Sequence, residues 1–177
     1  MLYIVRILIV IIIIALLLLL GCSKEDTSNN PANQNPYGVL ISHTSCKNGS
    51  VSKGSDGKIQ TTDQDCLEYQ YDKNGILTLK HVNTGFNCCV DNLVAVIRIE
   101  GSEITIEESE NAPTPCHCLC LYDMKMEIRN LAAGKYTIKI IEPCVPESKE
   151  KLEFNIDLIK SPSGSYCVKR DFYPWGM

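Results

Sequence analysis

The tightest constraint on this chain is an alternation that runs through residues 116–129. Cys116, Cys118, Cys120, Tyr122, Met124, Met126 and Ile128 hold one parity, while Asp123, Lys125, Glu127 and Arg129 hold the other. Successive side chains of a strand point to opposite faces, so the pattern predicts a half-buried β-strand with three thiols on its apolar side. A helix, with its 3.6-residue period, does not produce it.

The same period recurs from Tyr37 onward. Leu67-Glu68-Tyr69-Gln70-Tyr71 alternates and runs into Asp72-Lys73-Asn74-Gly75, where Asn and Gly accept positive φ, so residues 76–82 are expected to pair back as a hairpin. Leu93, Ala95, Ile97 and Ile99 mark a further strand, which Glu100-Gly101-Ser102-Glu103 turns into Ile104-Thr105-Ile106. Tyr136, Ile138 and Ile140 mark another, and Leu152, Phe154, Ile156 and Leu158 line the inner face of the next. No window holds a comparable helical stripe. Many short strands separated by turn signals predict an all-β domain, an antiparallel β-sandwich over residues 37–177. Leu131-Ala132-Ala133-Gly134-Lys135-Tyr136-Thr137-Ile138 resembles the Leu-x-x-Gly-x-Tyr-x-hydrophobic corner of fibronectin-like and immunoglobulin-like sandwiches. That likeness implies that the Tyr136 hydroxyl ties a strand start to a neighbouring loop.

The amino-terminal end has a different character. Arg6 is followed by an unbroken apolar run of 14 residues, 7–20, which fits a signal-peptide core and falls short of the ~20 residues that span a bilayer. An uncleaved anchor is the alternative. Leu19-Leu20-Gly21-Cys22 resembles the lipobox of bacterial lipoproteins, which implies removal of residues 1–21 and a lipid on the Cys22 thiol. Cys22-Ser23-Lys24-Glu25-Asp26 resembles the surface-export signal of Bacteroidetes lipoproteins, and implies an outer-membrane protein facing outward. Residues 23–36 contain no large apolar side chain and are expected to form, with Cys22, a tether over residues 22–36.

Beyond Cys22 there are nine cysteines: Cys46, Cys66, Cys88, Cys89, Cys116, Cys118, Cys120, Cys144 and Cys167. So many thiols point to an oxidising compartment and to structural disulfides. Four bridges leave one thiol over, and 9 × 105 = 945 connectivities exist in principle. At least two of the three like-facing thiols are expected to bridge to distant cysteines, because neighbours about 6.6 Å apart along a strand miss disulfide geometry. Cys88 or Cys89 is expected to supply a partner. A zinc site at Cys116-His117-Cys118-Leu119-Cys120 is the alternative, but an extended strand would hold its end thiols about 13 Å apart. Asn87-Cys88-Cys89, the three-cysteine strand, residues 130–138 and the Tyr-Pro-Trp ending together resemble uncharacterised small Cys-rich lipoproteins of Bacteroidetes. That likeness implies an envelope location and a β-domain and brings no activity.

Other chemistry is sparse. Loss of Arg6 with the signal would take the formal charge from −4 to 16 − 21 = −5, an acidic balance that argues against nucleic-acid binding. His43, His81 and His117 show no ligand spacing and read as surface or strand positions. Glu107, Glu108 and Glu110 read as a solvated loop after a strand, and Asp72-x-Asn74-Gly75 as a turn rather than a calcium loop. No phosphate loop, dinucleotide fingerprint or nucleophile elbow is present, so neither cofactor, metal nor catalytic residue is expected. Tyr173 and Trp175 are candidates for stacking on a sugar ring, with core packing the favoured reading for the Trp. The expected function is a lipid-anchored, non-catalytic binding or structural domain with a glycan or protein as ligand. The alternative is a carbohydrate-binding module or an exported enzyme with a loop site.

Overall fold

The computed structural model of the chain describes residues 34–47, 52–53 and 59–176. The apolar run, the lipobox with Cys22 and the export-like residues Ser23, Lys24, Glu25 and Asp26 lie outside the described residues.

The strands are β1 (Tyr37–His43), β2 (Ser52–Lys53), β3 (Ile59–Gln60), β4 (Gln64–Tyr71), β5 (Leu77–Asn87), β6 (Asn92–Glu100), β7 (Glu103–Asn111), β8 (Leu119–Arg129), β9 (Lys135–Ile141), β10 (Glu153–Asp157) and β11 (Ser163–Lys169). Five form a sheet in the order β1-β8-β5-β4-β11 and four a second sheet in the order β10-β9-β7-β6, with β2 and β3 paired separately. One continuous core lies between the two large sheets. Leu67, Leu79, Met124, Met126 and Ile128 face it from the first, and Leu93, Ile104, Ile106, Ile138 and Ile156 from the second. The domain is an all-β sandwich. Burying an aliphatic side chain contributes about 1.5–3 kcal/mol, so these two facing rows are its main support.

The hairpins fall where the turn residues direct. Gly75 takes φ 77° between β4 and β5, and Gly101 takes φ 62° between β6 and β7. Tyr136 Oη donates to Ala132 O at 2.9 Å, so the tyrosine corner forms within the loop that enters β9. Two features depart from simple alternation. β7 and β9 pair in parallel, because β8, which separates them in sequence, crosses to the other sheet, between β1 and β5. In β5 the register shifts between Val82 and Thr84, with Asn83 at φ 67°. This bulge switches the inward parity from Leu77, Leu79 and His81 to Thr84 and Phe86.

The three-cysteine strand is shorter than its alternation implies. β8 begins only at Leu119, and Cys116 and Cys118 belong to the irregular segment after Pro113 and Pro115. That segment is held from outside. Cys89 bridges to Cys116 and Cys88 to Cys118, and the Asn87 amide donates to Cys116 O at 2.7 Å. Cys120 is on the strand and joins Cys46. Cys66 and Cys167 are directly opposite in the β4–β11 ladder and form the fourth bridge. One of Cys88 and Cys89 is expected to supply a partner to this segment, and the fold uses both. Cys144 is the free thiol among the described residues.

Candidate functional site

At one end of the sandwich, a charged residue stands in or just beyond each of five strands, where the apolar row would put the next hydrophobic one. Asp65 precedes Leu67 and Tyr69, His81 follows Leu77 and Leu79, and Glu108 follows Ile104 and Ile106. Glu142 follows Ile138 and Ile140, and Arg170 follows Tyr166 and Val168. All five side chains therefore point between the sheets, where Asp65 and His81 are fully buried and Arg170 is 1% exposed.

The contacts are reciprocal and close. His81 Nε2 donates to Asp65 Oδ1 at 2.6 Å and Nδ1 to Glu108 Oε1 at 2.7 Å. Glu108 Oε2 accepts from the Thr84 hydroxyl at 2.8 Å, which the β5 bulge has turned inward. Arg170 Nε and Nη2 donate to Asp65 Oδ2 at 2.9 and 2.5 Å, and Nη2 donates also to Glu142 Oε2 at 2.9 Å. Arg170 Nη1 donates to Glu150 O. Trp175 closes this end, with the Arg170 guanidinium 5.8 Å from its ring centroid and its indole N–H on Asn83 O at 2.8 Å. One atom is left out. Glu142 Oε1 is buried with no hydrogen-bond partner and lies 3.9 Å from His81 Nε2.

Burial opposes charge on His81, but the carboxylates of Glu108 and Asp65 outweigh it and hold the imidazole well above its ordinary 6.5. Both ring nitrogens therefore carry protons, as the two donated bonds require. Burial also opposes ionisation of Asp65, yet the charges of His81 and Arg170 bring it below 3.8. Burial and the Asp65 charge together drive Glu142 well above 4.5, against the pull of His81 and Arg170. Each buried ion forfeits several kcal/mol of hydration, and pairing returns that only where every polar atom is satisfied. Glu142 Oε1 breaks that condition.

The sequence candidates are distributed differently from this cluster. His81, read as an ordinary surface or strand position, is on a strand but enclosed. Glu108, read as part of a solvated loop, is an inward residue of β7; Glu107 beside it is exposed, pairing with Arg98 at 2.8 Å. His43 and His117 are exposed, as expected. Cys116, Cys118 and Cys120 are all bridged, so they offer no thiolates to zinc. Trp175 is 2% exposed and cannot stack on a ligand, because it packs with Leu121, Val145 and Phe172. Tyr173 is exposed, but its hydroxyl accepts from Leu119 N–H and donates to Leu119 O. Sequence reading missed the cluster because its members stand 16 to 105 positions apart. The available signal was the charge ending five separate apolar rows. No protein-family model, curated protein or solved structure matches the chain.

Proposed function

We propose that the protein is a bacterial envelope lipoprotein, anchored through lipid on Cys22 and displaying its β-sandwich outward for a non-catalytic binding or structural role. The observation that carries this reading is the pairing of eight of the nine cysteines after Cys22 into four bridges. Such a set persists in an oxidising compartment, and the lipobox-like Leu19-Leu20-Gly21-Cys22 supplies both the route there and the attachment point. Enclosure of the large titratable cluster found among the described residues supports a role without catalysis, since acid–base groups must come within hydrogen-bond reach of a substrate. The partners on this reading are the membrane, through the lipid, and a glycan or protein met at the surface.

Metabolic labelling with palmitate tests it. The wild-type chain is expected to take up label and Cys22→Ala to lose it and accumulate as an unprocessed precursor. Equal labelling of the two would overturn the anchor and with it the proposed location.

A further inference from the structure

Each of the two central carboxyl groups in the enclosed cluster uses its oxygens unequally. Asp65 turns Oδ2 to Arg170 and Oδ1 to His81 Nε2; Glu142 turns Oε2 to Arg170 and leaves Oε1 unpartnered on the His81 side. Asp65, His81 and Glu142 thus each present one ligand atom, all within 4.8 Å of one another. The other ring nitrogen of His81 is fixed by Glu108, itself held by Thr84. A histidine oriented from behind by a carboxylate, and carboxylates oriented by a cation, are the outer-shell arrangement that metal sites use.

We propose that Asp65 Oδ1, His81 Nε2 and Glu142 Oε1 bind one divalent transition-metal ion of the zinc class, a structural ion that ties the two sheets together. Two oxygens and an imidazole nitrogen suit such an ion, and two ligands about 2.1 Å from it stand roughly 3–3.5 Å apart. The 2.6 Å contact of His81 with Asp65 opens and the 3.9 Å gap to Glu142 closes, each by less than about 1 Å, to meet that spacing. Charge balances by proton exchange: the ion displaces the proton on His81 Nε2 and the one on the Glu142 carboxyl, and three carboxylates, the Arg170 guanidinium, a neutral imidazole and a divalent ion then sum to zero. Three protein ligands leave a fourth position without a side chain, but burial of all three ligand residues closes that position to a substrate, so the ion is structural. Asp65 and His81 come from β4 and β5 of one sheet, whereas Glu142 follows β9 of the other, so the ion acts across the sandwich. The inference does not depend on the lipid anchor.

The full chain, purified in detergent and stripped with chelator, is titrated with Zn²⁺ by calorimetry and with Co²⁺ in the visible range. One equivalent per chain is expected, with Co²⁺ d–d bands and no thiolate charge-transfer band. Glu142→Gln, near-isosteric and still able to accept from Arg170, should weaken Zn²⁺ binding at least tenfold. Glu108→Gln should weaken it about 10–100-fold through the orientation of His81. Cys144→Ser should bind as wild type. Circular dichroism and the disulfide map establish that each variant is folded; if one is not, the wild-type Co²⁺ spectrum and stoichiometry decide. Absence of stoichiometric binding by folded wild type overturns the site, as does wild-type affinity in a folded Glu142→Gln. A charge-transfer band that disappears in Cys144→Ser overturns it too, by placing the ion on the thiol.

Discussion

The indole of Trp175 occupies the space that a side chain at position 85 would need: a Cβ built on Gly85 would fall 2.7 Å from its Cη2. The glycine lets the carboxy-terminal segment lie against β5, where the ring also meets Leu121 and Val145. Gly85→Ala should therefore destabilise the domain by about 1–3 kcal/mol through overpacking. Trp175 is the single Trp of the chain, so its fluorescence reports the displacement directly. The expected result is a red-shifted native emission and a lower urea midpoint; an unchanged midpoint would show that Trp175 does not seal this end.

The Cys66–Cys167 bridge spans 101 positions and fastens the edge strand β11, on which the approach of Arg170 to Asp65 depends. Replacing both cysteines with Ala should cost about 2–4 kcal/mol, less than an isolated loop of that length because other bridges already restrain the unfolded chain. Chemical unfolding of the double variant against wild type measures it. Loss of more stability from removing the Cys89–Cys116 bridge, which spans 27 positions, would contradict the ranking.

Cys144 is half-buried, and burial, with Glu110 and then Glu142 nearby, pushes its thiol up to about 11. The thiolate is the reactive species, so native alkylation by iodoacetamide at pH 8 should be much slower than for an exposed thiol and should quicken as the pH approaches 11. In denaturant without reductant, one cysteine other than Cys22 should be modified, and peptide mapping should place the label on Cys144. Labels spread over several cysteines would disprove the four-bridge pattern.

Protease added to intact cells should remove the domain if the tether holds it outside. Replacing Lys24, Glu25 and Asp26 with Ala should then leave it protected while palmitate uptake continues. Cleavage to the same extent in both strains would rule out an export role for these residues.

The hairpins were legible because their determinants are local. The alternation of residues 67–71, the Asn74-Gly75 turn and the Gly101 turn each lie within a few positions of the strands they join. The partners of the three-cysteine segment were legible in part, since extended geometry rules out neighbour pairing and leaves distant cysteines. The length of β8 was not, because Asn87 and two bridges from outside the segment, rather than its own alternation, decide where it stops being a strand. The charged layer was the hardest to see. A polar residue ending an apolar row ordinarily marks emergence into solvent, and only the superposition of five such ends turns them toward one another.

The parallel pairing of β7 with β9 has a consequence for the order of events in folding. Between β7 and β9 the chain lays β8 between β1 and β5 of the opposite sheet, and Arg170 meets Asp65 across 105 positions. An amino-terminal fragment ending at β7 would lack β8 and β11 of one sheet and β9 and β10 of the other, and its Asp65 would have no guanidinium. Contacts so distant in sequence make closure slow and leave no autonomous half. The bridges divide accordingly: Cys46–Cys120, Cys88–Cys118 and Cys89–Cys116 join segments that all precede β9, whereas Cys66–Cys167 must wait for β11.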